Sequence, residues 1–185
     1  MAPVESLLLW NVRLPDGFLG ALPSLRGVSI RGGSRDDLAV LDGCAALLSV
    51  DVNQVRGLRD LSQLGELGSL EFLSLYGLPR VEEFPNLESL QALRHLQIGS
   101  MKGLRTLAGV ASIPRLQTLQ LIRAVNVRPP DIEMLATHPT LEAFDWFGED
   151  VPVRVVEPVM NRMSHLYRAK PIRPEDWLAE RLQSD

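Results

Sequence analysis

Few side chains in this sequence have the chemistry for acid–base, nucleophilic or metal-binding work: His95, His138 and His165, the lone Cys44, and carboxylates such as Asp51 and Asp145. The histidines stand 43 and 27 residues apart, with no metal-ligand pattern between them. A metal site would bring its ligands in at short spacings. His138 precedes Pro139 in a turn and His165 lies near the C-terminus, so both read as structural. His95 could titrate near neutral pH and tune binding, although a plain polar contact is the simpler role. No activating base stands near Cys44 in the sequence, which favours a small buried apolar side chain over a nucleophile. The stretch RGGSRDD, Arg31–Asp37, carries paired glycines without the strand–loop–helix context of a phosphate loop. G-x-S-x-G is absent as well. The expectation is a chain with no catalytic residues, no cofactor and no metal.

Bulk properties narrow the class further. A formal charge of −4 offers no basic face for nucleic acid. No apolar run approaches the roughly 20 residues needed to cross a bilayer. The start, MAPVESLLLW, lacks the basic region and cleavage site of a signal peptide. One cysteine excludes an internal disulfide and fits a reducing compartment. A cytoplasmic protein that does not engage membranes is expected.

Any site must therefore be built by the elements, and these repeat. The pattern apolar-x-x-apolar-x-apolar recurs as VESLLL from Val4, LRGVSI from Leu25, LLSVDV from Leu47, LEFLSL from Leu70, LRHLQI from Leu93, LQTLQL from Leu116 and LEAFDW from Leu141. The start-to-start intervals are 21, 22, 23, 23, 23 and 25 residues. The alternating portion predicts a strand with one set of side chains inward and the other toward solvent. After it, apolar residues come every third position, as in Leu58, Leu61, Leu64 and Leu67, or Val81, Phe84, Leu87 and Leu90. That spacing suits a 3₁₀ or short helical return leg with one edge inside. Stacked copies would bury one continuous core that no single copy could bury alone.

A period of 20–29 residues with this core resembles the leucine-rich-repeat family, from about Val4 to Phe147. The resemblance implies an α/β solenoid: a curved parallel sheet on the concave face, short return legs, and binding of partners on the concave side. Many members carry an asparagine just after the strand; here the row reads Val12, Gly33, Val55, Leu78, Met101 and Ala124. This is closer to the irregular repeats of plant resistance proteins and some bacterial proteins. The turn carbonyls must then be met by backbone or water.

The expected organisation is an array of about seven repeats over residues 1–147, followed by a C-terminal capping segment over 148–185. Pro174 with Glu175 and Asp176 marks a helix start. Trp177, Leu178 and Leu182 would share its apolar stripe. A cap folded onto the last repeat is the expected role of this helix; a partner-binding helix is the other. No dedicated N-terminal cap is visible, which leaves self-association through the first repeat open.

The solvent-facing strand positions define the candidate site. Trp10, Arg31, Asp51, Asn53, Phe72, Tyr76, His95, Gln97, Gln120 and Phe147 read as partner-binding, with exposed Phe72 and Tyr76 at the centre. Aromatic and Arg anchors amid small polar groups suit a protein-recognition surface. Asp51 and Asp145 fall four repeats apart, too far for a catalytic carboxylate pair. The expected function is non-catalytic binding of a protein or peptide. The alternative is the recognition portion of a larger enzyme or switch, such as a ligase or NTPase.

Overall fold

The computed structural model describes residues 3–184. The outer ends of the two expected segments, residues 1, 2 and 185, lie outside the described residues. Each apolar hexad forms a strand: β1 (Ser6–Trp10), β2 (Gly27–Arg31), β3 (Ser49–Asn53), β4 (Phe72–Tyr76), β5 (His95–Met101), β6 (Thr118–Val125) and β7 (Ala143–Phe147). A two-residue β8 (Tyr167–Arg168) follows. The eight strands form one all-parallel sheet in chain order, so every strand hydrogen-bonds its sequence neighbours. Parallel strands need a crossover between them. Here it is a 3₁₀ turn at Phe18–Ala21, Ala39–Leu41 and Ser62–Glu66, an irregular leg after β4, and short helices α1 (Ala108–Ala111) and α2 (Pro129–Ala136) after β5 and β6. The result is a solenoid-like α/β fold.

The core lies between the sheet and the return legs. Inward strand residues such as Val50, Leu73, Leu96 and Leu119 have no exposed surface, nor do Leu58, Leu64, Leu87 and Leu104 on the legs. Apolar residues at every third position thus keep one edge of each leg inside. Cys44 is 7% exposed within this core, and burial pushes its thiol pKa up, with Asp42 adding to the effect. That makes a thiolate nucleophile unfavourable.

The turn after each strand shows what replaces the asparagine row. One left-handed residue marks the end of the strand in six successive repeats: Asn11, Gly32, Gln54 and Gly77 directly after β1–β4, and Ser100 and Arg123 within the longer β5 and β6, with φ between 48° and 69°. Their amides form a backbone ladder. Asn11 N–H donates to the Arg31 carbonyl, Gly32 to Asn53 and Gln54 to Tyr76, each at 2.8 Å. Gly77 donates to Gly99 at 2.9 Å. Val55, Leu78 and Met101 then point into the core. The register shifts between β5 and β6, pairing Met101 with Val125. Val125, not the expected Ala124, is therefore the buried member of the row.

The C-terminal segment is not a single cap. Helix α3 (Val153–Arg162) packs against β7 and α2, placing Val159 and Met163 in the core. Helix α4 (Pro174–Gln183), expected on the last repeat, instead returns across the sheet to β3 and β4. At the other end, β1 is an edge strand with Leu8 56% and Trp10 73% exposed. Among the described residues, no helix is long and apolar enough to cross a membrane.

Candidate functional site

Parallel pairing in register stacks the outward strand positions into three rows. The first runs Ser6, Gly27, Ser49, Phe72, His95, Thr118 and Ala143; the second Leu8, Ser29, Asp51, Ser74, Gln97, Gln120 and Asp145. The third runs Trp10, Arg31, Asn53, Tyr76, Gly99, Ile122 and Phe147. The outward face was expected to be solvated. Its middle row is mostly buried: Asp51, Ser74, Gln97, Gln120 and Asp145 are each less than a tenth exposed.

Much of the cover is the chain's own C-terminal segment. From β8 an extended stretch climbs across the strands two residues at a time. Arg168 Nε lies 3.4 Å from the Asp145 carboxylate on β7. Gln120 on β6 donates its side-chain amide to the Lys170 carbonyl at 2.6 Å, and Gln97 on β5 donates to the Ile172 carbonyl at 2.7 Å. Gln97 also donates to the Gln120 Oε1 at 2.6 Å, so the two amides act as one unit. Buried amides left without such partners would be costly.

Beyond Ile172 the segment becomes α4. Its Trp177 ring lies 5.3 Å from Phe72 and 5.9 Å from His95, and Phe72 and His95 stack at 5.9 Å and 27°. Aromatic pairs in this range contribute about 0.5–1.5 kcal/mol beyond the area they bury. Leu178 fills the space over Gly27, which a Cβ at that position would take. Arg181 forms a two-pronged pair with Glu71, with both hydrogen bonds at 3.1 Å. Phe72, expected to be an exposed anchor, is therefore fully buried. The sequence signals an outward-facing aromatic here but not the tryptophan, more than a hundred residues away, that covers it.

Between the third row and this segment lies a cleft of about 1090 Å³. Arg31, Asp51, Asn53, Tyr76, His95, Gln97, Gln120 and Phe147 line it, as do Ile122, Lys170, Arg173 and Asp176. Eight of the ten expected site residues thus meet in one place; Trp10 stays on the edge strand, outside the cleft. Gly99 has no side chain because the Tyr76 ring occupies the space a Cβ would need. At one end Asp51 accepts from Ser29 Oγ at 2.7 Å and lies 3.5 Å from Arg31, which also reaches Glu175 at 3.8 Å. The segment residues Lys170 and Arg173 were absent from the expected site. Their only sequence signal is basic character in a proline-rich stretch.

His95 is held below its ordinary pKa of 6.5, first by burial of the ring; Glu71 pulls the value up and Arg94 pushes it down. His138 is also lowered by burial, and its Nε2 lies 2.9 Å from the Ile113 carbonyl. Among the described residues, no group of three or more His, Cys, Asp or Glu converges as a metal site would. The cleft is lined instead by side-chain amides, carboxylates, guanidinium groups and aromatic rings.

No protein-family model matches this chain, and no curated protein matches it.

Proposed function

We propose that the chain is a leucine-rich-repeat protein that acts by binding a protein or peptide partner in the cleft on its outward, concave face, without catalysing a reaction. Seven strand-plus-leg units at intervals of 21–25 residues support the repeat assignment. One observation carries the binding reading: the face already holds a polypeptide. The main-chain carbonyls of Lys170 and Ile172 are read by Gln120 and Gln97 on successive strands. Tyr76, Ile122 and Phe147 remain partly exposed beside that run and supply apolar contact. Such a mix of aromatic anchors and satisfied polar groups is typical of recognition surfaces. A single buried thiol fits the reducing interior of a cell.

Panning a displayed random-peptide library against the protein tests this reading. Enriched peptides should bind the wild type and lose about tenfold or more in affinity, roughly 1.4 kcal/mol, on Tyr76→Ala or Phe147→Ala. Peptides that bind both variants as tightly as the wild type would contradict it.

A further inference from the structure

We propose that the outward face is a docking groove for an amphipathic helix, with α4 as its resident occupant, and that the protein partner presents a helix of α4's own chemistry that displaces it. The inference deepens the binding reading above and rests on it. Three features of the groove define the partner. The Phe72–His95 pair forms an aromatic floor that accepts an indole. The space over Gly27 accepts the leucine that follows it in sequence. Glu71 receives a basic residue one helical turn after the aromatic, where Arg181 now sits. A helix carrying aromatic, leucine and, four positions after the aromatic, arginine or lysine satisfies all three.

Displacement is possible because the docked helix is a separate layer. Phe72, Ala169 and Leu178 are buried, yet they lie apart from the continuous core between the sheet and the return legs. Lifting α4 therefore opens the face without opening that core. The connection up to Ile172 stays held by Gln97 and Gln120, so α4 would lift about Arg173 and Pro174. Residues 169–173 form no helix or strand, Pro171 and Pro174 flank Ile172 and Arg173, and β8 holds only two residues in the sheet. Helix α4 buries only Leu178 fully and leaves Ala179, Glu180 and Gln183 in solvent. A ten-residue helix is marginal alone, so α4 is expected to melt once it leaves the groove. A longer or better-anchored partner helix then competes at an advantage.

The test uses a labelled synthetic peptide with the sequence of residues 169–184, titrated by fluorescence anisotropy against full-length wild type and full-length Trp177→Ala/Leu178→Ala. The variant, whose own helix is weakened, should bind the peptide at least about tenfold more tightly than wild type. Adding Glu71→Arg to that variant should abolish binding. Equal binding by variant and wild type, or binding by neither, would overturn the proposal. Library peptides that still depend on Tyr76 would meanwhile leave the cleft reading standing. Should the variant fail to fold, native-state hydrogen exchange on the wild type decides. Amides of Leu178–Arg181 should exchange through an opening far more frequent than that of β4 and β5. Exchange in step with those strands would make α4 a fixed layer and sink the idea.

Discussion

Single residues carry two consequences that reach beyond their own positions. Six of the seven repeats place a left-handed residue at the end of the strand, yet four of the six are not glycine. A side chain held in that conformation costs of order 1 kcal/mol. Gln54→Gly should therefore raise thermal stability slightly, whereas Gly77→Ala, whose Cβ would sit 3.0 Å from the Gln54 Cγ, should lower it by about 1 kcal/mol or more in denaturant titrations. The second consequence concerns protons. His95 and His138 both bind a proton less readily in the folded chain than their ordinary 6.5 implies. On acidification the unfolded chain takes up more protons, so this contribution to stability is complete above 6.5 and is lost as pH falls toward the lowered values. The Tm should drop between about pH 7.5 and about pH 5.5, and His95→Gln should flatten part of that drop. A Tm that rises over the same interval would contradict the burial of these rings.

At the scale of the elements, strands and return legs were legible because their signals are local. Alternation marks the strands, a step of three marks the legs, and Leu73 and Leu96 fall where both patterns put them inside, with no exposed surface. Leu73→Ala or Leu96→Ala should cost about 2–5 kcal/mol by leaving a cavity in a middle repeat, seen as a lower Tm with the far-ultraviolet spectrum retained. The existence of α4 was legible for the same reason: proline at its first position, acidic residues in its first turn and an apolar stripe. Its destination was not. Trp177 over Phe72 and His95, Leu178 over Gly27 and Arg181 on Glu71 are pairings across about eighty to a hundred and fifty residues, and no periodicity encodes them. The register shift after β5 was hidden too, since one extra residue in β6 leaves the apolar pattern of the strand itself unchanged.

Across the whole molecule, the sheet has two faces built on different principles. The inner face is a continuous apolar core. The outward face is a hydrogen-bonded polar row, flanked by aromatics and closed over part of its width by the chain's own tail. The first makes the protein fold; the second leaves a cleft where Asn53, Tyr76, Gln97, Gln120 and Phe147 converge from five strands. That convergence was half visible beforehand, because register in a parallel repeat array places equivalent residues side by side. The segment that bounds the cleft was not visible. The most direct test of binding on this face is chemical-shift mapping on the full-length protein with a peptide enriched from the library. Perturbations should cluster at those five residues and along α4. Shifts gathered instead on the return legs, around Ser62–Glu66, Leu87 and α2, would place the binding surface on the opposite side of the molecule.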